Sequence, residues 1–235
     1  MKKPIKAYAV SNHTSVINWL PATQVYSMEK ADVVVFPGGA DVNPAVYGES
    51  KAHPLTQIDH ALDKHQIDEF NLAKSMGKRM VGICRGAQLL CALAGGKLIQ
   101  HQLRGASYHP VYTYDGKIIE VSSDHHQAMY PWHMKTGDFK VLGWSFGQSV
   151  CHVDGDYKEM VIGETPLNME VEIAFFPDIK ALCIQAHPEW QYPSKGTSFS
   201  DREAIDYYLS IFEKFMDGEN FINAHDSFSV NTVTA

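Results

Sequence analysis

The chain has 235 residues, 45% of them hydrophobic, and a formal net charge of −7. That length suffices for one large domain with a full core and gives no sign of a second. An acidic balance without a basic cluster argues against a nucleic-acid surface, and no run of about 18 apolar residues is available to cross a membrane. Four cysteines without regular spacing make no disulfide framework, which suits a reducing compartment. The opening Met1-Lys2-Lys3-Pro4-Ile5-Lys6 lacks the apolar segment of a secretory signal, so a cytoplasmic location is expected.

In chain order, Ile5–Val10 reads as a first short strand, and Ser11–Thr14 as the loop after it. Val16–Tyr26 is ambiguous. Ala31–Phe36 is a β-branched run of the kind buried in parallel sheets. It stops at Pro37-Gly38-Gly39-Ala40-Asp41, whose glycines allow backbone to approach a ligand closely. Asn43–Pro54 continues as loop, and Asp59–Met76 reads as a helix with Leu62, Gln66, Phe70 and Ala73 on one face. An apolar run ending at Ile83 gives a buried strand, and Ala87–Ala94 a helix closed by Gly95-Gly96. This alternation is the α/β signature. After Gln100 the pattern changes to short strands. Tyr114-Asp115-Gly116-Lys117 is a hairpin turn returning through Ile118–Val121, and Ser122–Gln127 is a polar loop. Lys140–Trp144, Glu159–Ile162 and Val171–Phe175 read as antiparallel strands, and Ala181–Gln185 as another buried one. Ser200-Asp201-Arg202-Glu203 is a capping box opening a last helix with Ala204, Tyr208, Ile211 and Phe215 on one face. Residues 1–217 are therefore expected to form one domain and 218–235 a flexible tail.

Between the strand ending at Ile83 and the helix from Ala87 stands Cys84, in Gly82-Ile83-Cys84-Arg85-Gly86. This is the cysteine form of a nucleophile elbow, a sharp strand-to-helix turn that lifts one side chain above the sheet. The helix N-terminus favours a thiolate there. The Arg85 backbone N–H would point where an oxyanion forms, and Gly39 is the candidate for a second donor. Cys91, Cys151 and Cys183 read as small buried hydrophobes. His187 follows a buried strand and should stand near the elbow, with Glu189 placed to orient its ring, so Cys84, His187 and Glu189 would act as nucleophile, base and orienter. His125-His126 with His133 invites a metal reading, but no ligand set is completed. A polar substrate loop or a solvated surface both remain open for that segment.

These segments resemble a known family. Phe36–Pro44 with Tyr47, Gly82–Gln88 with Gly95–Gln100, Ser123–Gln127 and Gln185–Glu189 are similar, in order, to the motifs of class I glutamine amidotransferase-like hydrolases. The similarity is to the γ-glutamyl-γ-aminobutyrate hydrolase-like branch, peptidase family C26. The resemblance implies a flavodoxin-like, mostly parallel sheet flanked by helices, with a small additional antiparallel region. It implies Cys84, His187 and Glu189 as the triad, oxyanion donors at Gly39 and Arg85, and a γ-glutamyl group held by Gly38, Gln88, His125, His126 and Gln127. No cofactor or metal is implied. The expected chemistry is hydrolysis of a small γ-glutamyl amide through a γ-glutamyl thioester. Two other readings stand beside it: a glutaminase subunit passing ammonia to a separate partner enzyme, and a catalytically idle binding module. A homodimer is left open. Two positions depart from the family pattern, Cys91 where an Asn is usual and Ala186 where a Trp is usual, and the stretch before Val33 is short.

Overall fold

The computed structural model describes residues 3–102, 107–146, 151–153, 158–160, 169–190 and 199–221. Its centre is five parallel strands in the order β2 (Ala22–Gln24), β1 (Ile5–Ala9), β3 (Val33–Phe36), β4 (Arg79–Ile83) and β13 (Ala181–Ile184). All four residues of β3 are buried, as are the last four of β4 and all of β13. The two-residue period of a strand divides them between two cores. Val34 and Phe36 face α1 (His60–Ser75) and α2 (Arg85–Leu93) on one side. Val33 and Val35 face α3 (Phe199–Asp217) and the Val16–Leu20 segment on the other. Helices therefore cover both faces, the layered arrangement that parallel strands require.

The antiparallel part is larger than the small addition expected, and it is continuous with the parallel sheet. Beyond β13 the sheet runs on through β12 (Met169–Phe176), β9 (Lys140–Phe146), β6 (Ser107–Thr113) and β7 (Ile118–Ser123). β5 (Lys97–Ile99) and β8 (Ala128–Tyr130) pair with each other, and β8 with β12. Among the described residues eleven strands thus share one sheet, and only β10 (Cys151–Val153) with β11 (Lys158–Met160) stand apart. Residues 161–168, at the end of the expected Glu159–Ile162 strand, lie outside the described residues.

Several local expectations shift. Ser122 and Ser123 close β7 instead of belonging to the loop. The ambiguous Val16–Tyr26 stretch holds a short 3₁₀ turn (Thr14–Ile17) and edge strand β2. Two short 3₁₀ turns, Val10–Asn12 and Thr14–Ile17, and no α-helix, link β1 to β2. Ser11 and Asn12 turn the chain with φ of 60° and 54°, and Trp19 packs between Tyr208 and Phe212 at ring separations of 6.3 and 6.2 Å. α3 begins at Phe199, so Ser200 lies in its first turn and is not its cap. Its predicted face is observed: Ala204, Tyr208, Ile211 and Phe215 are buried. The expected tail is anchored at its start, because Phe221 is buried against Tyr114 and Phe175 while Lys140 binds Asn220 at 2.8 Å. Residues 222–235 lie outside the described residues. Among the described residues no helix is long and apolar enough to cross a membrane.

Phe212 is fully buried and Leu55 is 56% exposed. Phe212→Ala should cost about 3–5 kcal/mol in urea unfolding, and Leu55→Ala no more than about 0.5 kcal/mol.

Candidate active site

β4 delivers Cys84 to the end of the sheet where α2 starts. The residue caps α2 with φ of 50° and ψ of −112°, a left-handed backbone that a side-chain-bearing residue adopts at a cost. The turn is too tight for a Cβ at either flank. One on Gly82 would lie 2.6 Å from the Ala87 backbone nitrogen, and one on Gly86 would overlap the Phe36 carbonyl. The first intrahelical bond, Gln88 N–H to the Cys84 carbonyl, is 3.0 Å. The Arg85, Gly86 and Ala87 N–H groups precede it and carry the positive end of the helix dipole.

β13 lies beside β4 in parallel, with Ile184 in register with Ile83. Three residues past β13, His187 therefore arrives next to Cys84. A Cβ built on Gly38 would sit 2.9 Å from His187 Cε1 and 3.7 Å from Cys84 Cβ, so the two side chains meet over this glycine. His187 Nδ1 contacts Glu189 Oε1 at 2.8 Å, both side chains being almost wholly buried. Burial works against a charged ring, yet hydrogen bonds with the Cys84 sulfur and the Glu189 carboxylate outweigh it and hold the His187 pKa up to about 9. Trp190 lies flat on the same ring, with centroids 3.6 Å apart and planes 1° from parallel.

Two cavities share Cys84, Gly39 and Asp124 as a common wall. The inner one, about 220 Å³, is bounded also by Asp41, Gln88, His126 and Gln127. The outer one, about 320 Å³, is bounded by His13, Ser15, Gly38, His187, Glu189 and Trp190. Each expected site residue is thus at one of these cavities or next to them. His125 and His126 diverge, as adjacent residues must: His125 Nδ1 meets the Gln127 carbonyl at 2.8 Å, and His126 Nε2 meets Asp41 at 3.0 Å. The hydrogen bond with Asp41 raises the His126 pKa, against its partial burial. His133 lies apart, against the Gly95 carbonyl at 3.1 Å. Among the described residues no group of three His, Cys, Asp or Glu is arranged to hold a metal.

Polar contacts tie these loops to the helices. Gln88 Nε2 donates to the Gln127 carbonyl at 2.9 Å, and Gln127 Nε2 to the Gln100 carbonyl at 3.2 Å. Arg85 is 1% exposed; it donates to Asp63 at 2.5 Å and also to Gln66. From sequence alone Arg85 has only a backbone role and Asp63 none. The available signal was Gln66 on the apolar face of α1, with Asp63 three residues earlier on the same face. Asp41, Asp124 and Trp190 are likewise site residues without a sequence-derived role.

The elbow cysteine on the parallel sheet thus faces His187 and Glu189, which follow the neighbouring strand β13. The chain is similar to several known proteins. The sequence profile of the Peptidase C26 family matches residues 10–110. The glutamine amidotransferase-like protein YvdE of Lactococcus lactis subsp. lactis is 35% identical over 92 residues, 37% of this chain and 38% of that protein. A homolog of it from L. lactis subsp. cremoris is 31% identical over 100 residues, 41% of this chain and 52% of that protein. The chain thus matches only about two fifths to half the length of these relatives. Protein NtpR of Enterococcus hirae is 24% identical over 215 residues, 82% of this chain and 80% of its own. In fold, the chain matches PurLQS from Thermotoga maritima with a TM-score of 0.53 and 15% identity, over 91% of this chain and 100% of that one. It matches the glutaminase domain of Trypanosoma brucei CTPS with a TM-score of 0.52 and 12% identity, over 94% and 96%. The chain is thus similar to the Peptidase C26 family over residues 10–110 and to glutamine amidotransferase-like relatives over about two fifths of its length.

Removing Asp63 would strand a buried guanidinium, whereas Lys64–Asp68 is an exposed pair with 78% and 61% of its side chains accessible. Asp63→Ala should cost about 3–5 kcal/mol and Lys64→Ala at most about 0.5 kcal/mol, read from urea midpoints.

Proposed function

We propose that the protein hydrolyses small γ-glutamyl amides through a thioester on Cys84. The observation that carries this reading is the division of space around the sulfur. Cys84 lines both cavities, while His187 lines only the outer one. The group that protonates a leaving nitrogen must lie on the leaving-group side. The acyl part therefore belongs in the inner cavity, against Gln88, His126 and Gln127, and the departing amine in the outer one. A space of about 320 Å³ there suits an amine of several heavy atoms better than ammonia.

In this reading the Cys84 thiolate attacks the γ-carbonyl carbon, forming a C–S bond. The oxyanion is held by the N–H groups of Arg85 and Gly39. Glu189 occupies His187 Nδ1, which leaves Nε2 to serve Cys84 and the substrate. As the C–N bond breaks, the imidazolium gives its proton to the departing nitrogen. A water then attacks the thioester, its proton passing to His187, and the C–S bond breaks to release glutamate and restore the thiolate.

The purified chain, assayed on a panel of γ-glutamyl amines with glutamine included, should turn over the larger amides faster than glutamine. Cys84→Ala should lower the rate by a factor on the order of 10⁴ or more, and Glu189→Gln by about 10³. Acylation needs the protonated ring, so kcat/KM should fall as pH rises through about 9. Turnover of glutamine alone, accelerated by a second protein, would instead select a glutaminase subunit. Equal behaviour of wild type and Cys84→Ala would leave only a binding module.

A further inference from the structure

Trp190 is 55% exposed, and the core does not explain its place. A local turn does: Pro188–Trp190 is one turn of 3₁₀ helix in which the Trp190 N–H donates to the His187 carbonyl at 3.2 Å. That turn folds the indole back over the imidazole of the residue three positions earlier, with the centroids 3.6 Å apart and the planes 1° from parallel. Two neutral aromatic rings avoid this arrangement, because their quadrupoles repel face to face; they prefer offset or edge contacts at about 4.5–7 Å. A cation over an indole face is attracted by the same quadrupole. The stacked His53 and His101 rings, 4.5 Å apart at 8°, show how much looser another parallel pair in this protein is.

We propose that Trp190 is a positioning residue that holds His187 as an imidazolium, flat between Cys84 and Glu189, by a cation–π contact. Among the described residues, the other charged or titratable groups lining the cavity that holds the ring are Cys84 from the elbow, Glu189 from its own turn, Asp124 after β7 and His13 after β1. Cys84 and Glu189 set the charge balance in the plane of the ring, and Trp190 acts on its face. The high His187 pKa accords with this arrangement. The inference rests on the assignment of His187 as the base of Cys84, yet its test needs no substrate.

Trp190 has two conceivable effects on the ring, and they have opposite signs. As a mere cover it would exclude water and push the imidazolium pKa down, so its removal would raise that pKa. As a cation–π partner it pushes the pKa up, so its removal would lower it. The full chain, labelled with ¹³C-histidine, can be titrated by NMR, with His187 assigned by loss of its signal in His187→Gln. Trp190→Leu keeps an apolar cover without the π-face and should lower the His187 pKa by about 0.5–1.5 units. Trp190→Phe keeps a weaker π-face and should lower it by less. An unchanged or raised pKa in Trp190→Leu, or in Trp190→Phe should the leucine variant not fold, overturns the proposal. Failure of γ-glutamyl hydrolysis would leave this titration unaffected, so the two readings fail separately.

Discussion

One tight bend governs the site. The chain must leave β4 and enter α2 within a single residue, and it does so by placing Cys84 at φ of 50°. That geometry survives because no Cβ can be accommodated at Gly82 or Gly86, and because the surrounding strands are wholly buried. Strain of this kind, of order 1–3 kcal/mol, persists only where packing over-determines it. Here the packing comes from Phe36 of β3 below Gly86 and from β13 beside β4. The strand pairing that holds the bend also brings His187 to it.

Around the bend, buried polar side chains connect the loops that form the cavity walls. Arg85 reaches back to Asp63 and Gln66 of α1, and Gln88 reaches across to the Gln127 carbonyl. His126 clasps Asp41, whose carboxylate also accepts from the Gln57 N–H at 2.8 Å. α2 thus carries Cys84 as its N-cap and grips both neighbouring segments through Arg85 and Gln88 of its first turn. The buried contacts of Arg85 and Gln88 fix loop positions more strongly than surface pairs do.

The sequence exposed those parts of this arrangement that are local. The four-residue strand Val33–Phe36, the glycines around Cys84 and the face of α3 are each written in a short window, where period and turn chemistry suffice. The pairing of Cys84 with His187 was legible only because both follow buried strands. What escaped was non-local. Nothing near Asp63 announces that its partner is Arg85, because that ion pair exists only once α1 packs over α2. The continuity of the antiparallel strands with the parallel sheet depends on β12 pairing with β13, a choice no single window records. Phe221 looks like tail by composition and is held by Tyr114 and Phe175 from distant elements. Trp190 was hidden differently: its sequence position is beside the His-Pro-Glu motif, but its value lies in a ring-over-ring geometry that only coordinates give.

The central claim is that the Cys84 sulfur becomes bonded to the acyl carbon during turnover. Its most direct test is rapid acid quenching of the protein mixed with a γ-glutamyl amide, followed by peptide mass analysis. The account predicts a mass gain of one γ-glutamyl group on the peptide containing Cys84, absent from Cys84→Ala. Hydrolysis proceeding with no such adduct, or with the adduct on another residue, would contradict it.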